Sequence, residues 1–254
     1  MGDLKPADDL LLADLNEAAA RGEFSLVYQP QIDPDDRLVG VESLLRWDHP
    51  ERGLVGPGVF IPLAERAGMI RPVTRWVLDR VLRETAELGD LPVGFNASAL
   101  EFADPAFAGE VEALVNRHGF DPSRLEIEVT ETAILADGEE VHRTMDALHR
   151  IGVRIALDDF GAGYSSLNHL RLYPFDKLKI DQAFVAECSA DPQSAALING
   201  VVYIGRALGM TVVAEGVETQ QQQAFLRDAG VHAMQGYLFG QPMPVAGLKA
   251  MLAG

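Results

Sequence analysis

The chain is short of cysteine, of basic residues and of long apolar runs, and each shortage removes a class of protein. Cys188 is its only cysteine in 254 residues, so no internal disulfide can form and a reducing, cytoplasmic setting is expected. Lys and Arg number 21 against 38 Asp and Glu, a formal net charge of −17. That balance argues against sequence-independent binding to DNA or RNA, which relies on Lys and Arg neutralising phosphates. It leaves room for a small phosphate ester if divalent cations gather locally to invert the field. The apolar stretches are interrupted by charges, and the first ten residues are acidic rather than basic. Neither a signal peptide nor a transmembrane span is read, and no direct membrane contact is expected, although a longer parent protein could carry an anchor.

Several motifs are missing as well. There is no P-loop, no G-x-G-x-x-G after the first strand and no G-x-S-x-G nucleophile elbow. The six histidines (His49, His118, His142, His149, His169 and His232) show no metal-ligand spacing. No Pro/Gly/Ser-rich linker divides the chain, so residues 1–254 are read as one domain with residues 1–6 a flexible terminus. The 48% hydrophobic and 23% charged content lies in the globular range.

What is present is an alternation. Apolar residues at Leu11, Leu12, Leu15 and Ala18 predict a helix over 7–21 that stops at Gly22. Two strands, 24–32 and 38–47, flank the turn Asp33-Pro34-Asp35-Asp36 and should pair antiparallel. Helices follow at 57–67 and 73–88, then a strand at 92–96 and a helix at 107–117. Strands at 125–129, 153–157, 177–180, 211–214 and 233–234 then alternate with helices at 141–150, 194–208 and 219–229, and a helix at 245–252 closes the chain. Short buried strands between amphipathic helices indicate a parallel sheet with helices outside. About eight strands fit a closed (β/α)₈-type α/β barrel better than an open doubly wound sheet, the alternative on periodicity alone.

Strand after strand carries a residue that apolar packing does not call for: Glu42, Asn96, Glu128, Asp158 with Asp159, Lys179 with Asp181, Glu215 and Gln235. One carboxylate at a strand end is ordinarily a loop start or a helix cap. In a barrel, however, the carboxyl ends of all strands converge on one mouth. Six carboxylates gathered there around Lys179 need protons or metal ions to offset their repulsion. Oxygen ligands without a His or Cys cluster favour hard cations, Mg²⁺ or Mn²⁺. The stretch Asp158-Asp159-Phe160-Gly161-Ala162-Gly163-Tyr164-Ser165-Ser166 reads as an active-site loop that senses ligand or metal, with Ser165 or Ser166 able to cap the next helix.

Ordered along the chain are Tyr28-Gln29-Pro30, Glu42-Ser43-Leu44-Leu45-Arg46-Trp47, Phe60-Ile61-Pro62-Leu63-Ala64-Glu65 and Asn96-Ala97-Ser98. They continue with Glu128-Val129-Thr130-Glu131, Asp158-Asp159-Phe160-Gly161, Lys179-Ile180-Asp181, Ala214-Glu215-Gly216-Val217-Glu218 and Gln235-Gly236-Tyr237. In combination they resemble the EAL family of cyclic di-GMP phosphodiesterases over about residues 24–244. One departure is Ser43, where the family has alanine; its side chain should point away from the strand face carrying Glu42, leaving the chemistry intact.

The resemblance implies a modified TIM-like barrel with its first strand antiparallel, and hydrolysis of one phosphodiester of cyclic di-GMP to linear pGpG, lowering this bacterial second messenger. It implies a first ion on Glu42, Asn96, Glu128 and Asp158, and a second, bridged by Asp158, on Asp159 with Glu215 acting through water. Lys179 would orient or help deprotonate the attacking water, with Asp181 and Gln235 supporting the water and metal shell. Gln29 and Arg46 resemble ligand-binding positions. Glu131 and Glu218 resemble supporting residues, Glu131 anchoring the loop that carries Gly161, Gly163 and Ser165. A homodimer is also expected. Two rival readings are a barrel that binds cyclic di-GMP without cleaving it, and another acid-rich barrel chemistry such as metal-assisted proton abstraction or glycoside hydrolysis.

Overall fold

The structure, a computed structural model, describes residues 6–130, 138–161 and 167–253. Helix α1 (Pro6–Arg21) leads into the hairpin of β1 (Phe24–Ile32) and β2 (Leu38–His49), followed by β3 (Gly53–Val55), α2 (Pro57–Arg66) and α3 (Ile70–Glu84). Then come β4 (Val93–Asn96), α4 (Ala99–Phe102), α5 (Phe107–His118), β5 (Leu125–Thr130), α6 (Gly138–Arg150) and β6 (Arg154–Phe160). The chain continues through α7 (Leu167–Leu172), β7 (Lys177–Ile180), α8 (Gln182–Glu187), α9 (Pro192–Ala207), β8 (Thr211–Ala214), α10 (Gln220–Ala229), β9 (Ala233–Gln235) and α11 (Val245–Ala253).

The strands run in the order β1-β9-β8-β7-β6-β5-β4-β2, and β1 also pairs with β2, which closes the sheet into an eight-stranded barrel with β3 appended to β2. The strand β1 is antiparallel to both of its neighbours, while the pairs from β2 through β4 to β9 are parallel. The closed alternative is therefore the correct one, and the early hairpin does supply the reversed strand.

Period-two alternation explains how one strand serves two environments. In β5 (LEIEVT), Leu125, Ile127 and Val129 face outward into an apolar cluster with Val111, Leu114 and Val115 of α5 and Met145 and Leu148 of α6. Each such buried aliphatic side chain contributes about 1.5–3 kcal/mol of hydrophobic stabilisation. The intervening Glu126, Glu128 and Thr130 belong to the interior face. A second apolar cluster seats Leu11, Leu15 and Ala18 of α1 against Trp47, Phe60, Leu63 and Ile70. A third packs Ile180, Val212 and Ala214 under Ile198 and Val202 of α9 and Leu226 of α10. The apolar core thus lies mainly between sheet and helices.

Candidate active site

Four carboxylates, each carried on or just after a different strand, surround one ammonium. Lys179 Nζ on β7 lies 3.3 Å from Glu42 Oε2, 3.1 Å from Asp158 Oδ1 and 2.6 Å from Glu215 Oε1, and it also pairs with Glu128 Oε2. The Lys179 and Glu128 side chains are fully buried. Glu42 receives further hydrogen bonds from Asn96 Nδ2 (2.8 Å) and Gln235 Nε2 (2.7 Å), and Gln235 Nε2 also donates to Gln29 Oε1 at 3.1 Å. Register accounts for this convergence: Gln29 stands opposite Glu42, and Asn96 beside Glu128.

Adjacent residues on a regular strand point to opposite faces, so Asp158 and Asp159 should not share one. The ladder from β6 to β7 breaks between Leu157 and Phe160, placing both aspartates opposite Lys179. Asp159 adopts φ 54°, the left-handed region that a residue with a Cβ enters at a cost. This bulge lets oxygens of Asp158, Asp159 and Glu215 come within 4.8 Å of one another, as do oxygens of Glu42, Glu128 and Asp158. Asp158 belongs to both groups.

Burial and charge set the protonation of the cluster. Burial alone would raise Glu42, but the Lys179 charge and the hydrogen bonds from Gln235 and Asn96 outweigh it and hold the pKa below the usual range. Glu128 is pushed well upward by burial and by the neighbouring Glu42 charge. Burial raises Asp158 against the pull of Lys179. Asp159 rises to about 6 through burial and the Asp158 charge. Glu215 rises to about 8, chiefly through burial, with Lys179 opposing. Lys179, despite its burial, is held well above its ordinary value by Asp158, Glu128, Glu215 and Glu42. Burial and mutual repulsion thus disfavour the charged forms of Glu128, Asp158, Asp159 and Glu215, a repulsion that bound cations would offset.

The residues fit such cations. All charged donors are hard carboxylate oxygens, Asn96 leaves its carbonyl oxygen free of the bond to Glu42, and Glu128 Oε1 is buried without a hydrogen-bond partner. A β-carbon on Gly94 would collide with Glu128 Oε1, so a larger residue there would displace that oxygen.

A cleft of about 280 Å³ opens over the cluster, lined by Gln29, Glu42, Asp159, Asp181, Glu215 and Gln235 among others. A groove of about 900 Å³ adjoins it between β2, α2, α3 and the end of β4, and Leu44 and Asp159 line both. Arg46 lies in this groove rather than in the acidic cleft, with Nη1 donating to the Leu45 carbonyl at 3.0 Å. Asp181 lines the cleft and caps α8, accepting from Ala183 N at 2.9 Å. Glu218 is at the rim, and Gly161, with φ 102°, packs so closely on Phe184 that a β-carbon would collide with the ring. Glu131, Gly163 and Ser165 lie outside the described residues. Gln31, Glu126, Lys177 and Gly94 were not singled out from sequence, although Glu126 and Lys177 precede Glu128 and Lys179 by two positions and so share their strand faces. Ser43 does point away from Glu42, its Oγ donating to the Gly94 carbonyl at 2.8 Å.

Fold and site together define an α/β barrel whose mouth suits hard cations. The family model for the EAL domain matches residues 12–242, and the chain belongs to the EAL family. It is 42% identical over 249 residues to MucR of Pseudomonas aeruginosa, named a bifunctional diguanylate cyclase/cyclic di-GMP phosphodiesterase; the match covers 96% of this chain and 36% of MucR. It is 39% identical to PA2567 of the same organism, named a cyclic di-GMP phosphodiesterase, over 92% of this chain and 41% of that protein. The chain thus spans well under half the length of these relatives. A solved structure described as the PaMucR phosphodiesterase in complex with c-di-GMP superposes with a TM-score of 0.88 at 42% identity, covering 94% of this chain and 99% of that one.

Proposed function

We propose that this domain hydrolyses one phosphodiester bond of cyclic di-GMP, releasing linear pGpG, with Mg²⁺ or Mn²⁺ bound in the acidic cluster. The observation that carries the reading is the arrangement of Lys179 among Glu42, Glu128, Asp158 and Glu215, with Asp158 shared between two carboxylate groups. Glu42, Asn96, Glu128 and Asp158 would hold one ion, and Asp158, Asp159 and Glu215 a second. When bound, such ions would polarise a phosphoryl oxygen and lower the pKa of bound water.

The chain's own groups do the rest. Lys179, held as an ammonium with three donors, orients the attacking water and offsets negative charge as it develops. Asp159 and Asp181, which line the same cleft and interact through their side chains, accept hydrogen bonds from that water. Gln235, whose amide also donates to Gln29, holds Glu42 in place, and Arg46 supplies a guanidinium for a phosphate in the adjoining groove. A cleft and a groove that meet at Leu44 and Asp159 suit a ligand of two nucleotide halves with the scissile phosphate between them. The MucR and PA2567 names and the c-di-GMP complex support the same substrate.

No helix among the described residues is long and apolar enough to cross a membrane. A cytoplasmic setting and a homodimer belong to this reading, to be checked by fractionation of the parent cell and by scattering mass. The function is tested by incubating purified protein with cyclic di-GMP and each divalent metal and resolving the products by chromatography. The expected product is pGpG, formed with Mg²⁺ or Mn²⁺ and absent with Glu42→Ala. Tight binding without turnover under every metal would instead make the domain a receptor.

A further inference from the structure

Beneath the acidic cluster a second polar layer crosses the barrel. Lys177 and Glu126 point into the interior one strand repeat below Lys179 and Glu128, with Lys177 Nζ 2.6 Å from Glu126 Oε1. Lys177 also donates to Gln31 Oε1 at 3.1 Å, Gln31 Nε2 donates to Gln235 Oε1 at 3.0 Å, and Gln235 Nε2 donates to Glu42 Oε2 at 2.7 Å. All five side chains are buried. Small residues make room for them: a β-carbon on Gly40 would lie 2.9 Å from Gln31 Oε1, and Ala156 is the register partner of Lys177.

The polarity of this chain is determined at its two ends. An ammonium can only donate, so Gln31 must turn its oxygen to Lys177 and its NH₂ to Gln235. Gln235 must then turn its oxygen to Gln31, which leaves its NH₂ for Glu42 and Gln29. At the other end, an ionised carboxylate can only accept. Rotating either amide by half a turn would set oxygen against oxygen in a site closed to water, which is costly.

We propose that Lys177, held by Glu126, is a positioning residue for Glu42: acting from the far end of the chain, opposite the carboxylate, it holds Gln31 and Gln235 in one orientation and so steadies where the Glu42 carboxylate is presented. Its consequence for turnover rests on the phosphodiesterase reading, whereas the amide orientation does not.

The test compares Lys177→Arg, which keeps a donor, with Lys177→Met/Glu126→Met, which removes both charges so that none is stranded. Thermal melts establish that both variants are folded. The Gln235 side-chain NH₂ signals are read in a ¹⁵N–¹H spectrum, assigned by their loss in Gln235→Glu. In the double variant they shift and lose protection from hydrogen exchange; in Lys177→Arg they stay as in the parent. The double variant's kcat falls roughly 10-fold or more with KM within about twofold, the size expected when a support behind a metal ligand is removed, and Lys177→Arg restores kcat. Parental Gln235 signals in the double variant, or a parental kcat despite shifted signals, overturns the proposal. Should the parent release no pGpG, the functional reading fails by itself, and the Gln235 spectrum still decides the orientation.

Discussion

On β7, Leu178 and Lys179 are consecutive, both wholly buried, and belong to different worlds. Leu178 faces outward into the apolar shell between sheet and helices, while Lys179 faces inward to four carboxylates. The same division runs through β5, where Leu125, Ile127 and Val129 alternate with Glu126 and Glu128. The shell supplies the stability that lets the interior hold an arrangement of charges that is costly in itself. Stability and chemistry are thus separable one residue apart.

Replacing Lys179 by Met should have the largest effect on function, lowering kcat on the order of 10³-fold, as expected when a donor to developing negative charge is lost. Circular dichroism should show the fold retained at a pH where the carboxylates can take up protons. Leu178→Ala should do the converse. It should cost about 2–5 kcal/mol in a denaturant titration, with kcat per folded molecule little changed. If the two variants lost activity and stability in equal measure, the separation would be wrong.

Glu101, in contrast to the carboxylates around Lys179, is buried outside the barrel interior. Burial pushes its pKa up to about 7, against hydrogen bonds from Thr74 Oγ1 (2.7 Å) and Ser98 N (3.1 Å), both to Oε2. A raised carboxyl pKa means that the folded state holds a proton the unfolded state has released. This group's contribution is therefore fully present below about pH 4.5 and is lost as pH rises to about 7, a change of about 3 kcal/mol. Glu101→Gln mimics the protonated form, so its stability should be flatter across that window and higher than the parent's at pH 8. Thermal melts at pH 5 and pH 8 read this directly.

Gly94→Ala should bring a β-carbon onto Glu128 Oε1. A cost of about 1–3 kcal/mol is expected, with Mn²⁺ affinity lowered because the displaced group is a proposed ligand. Calorimetric titration with Mn²⁺ checks it. Ser43→Ala should have the smallest effect. It removes one buried hydrogen bond to Gly94 O, worth about 1 kcal/mol, and should leave kcat within about twofold because the hydroxyl points away from Glu42.

The sequence made the division between shell and interior legible wherever strands alternate cleanly. Glu42, Glu128, Lys179 and Glu215 could be placed together because a barrel mouth collects strand ends. Asp158 with Asp159 could not be explained that way, since both face the mouth only through a bulge with φ 54° at Asp159, and no periodicity announces a bulge. Barrel closure depends on β1 meeting β9 as well as β2, a pairing some 200 residues apart in sequence that local pattern does not encode. The elements β3, α4, α7 and α8 are too short for a period to register. Lys177 and Glu126 did carry a signal, the two-residue offset from Lys179 and Glu128, but only the hydrogen bonds reveal what they hold.

The proposed function requires the interior carboxylates to hold two ions. Crystals of the domain soaked in Mn²⁺ and measured for anomalous scattering test it most directly. Two peaks are expected, one among Glu42, Glu128 and Asp158 and one among Asp158, Asp159 and Glu215, both lost in Asp158→Asn. A protein that releases pGpG while Mn²⁺ is absent from this cluster would contradict it.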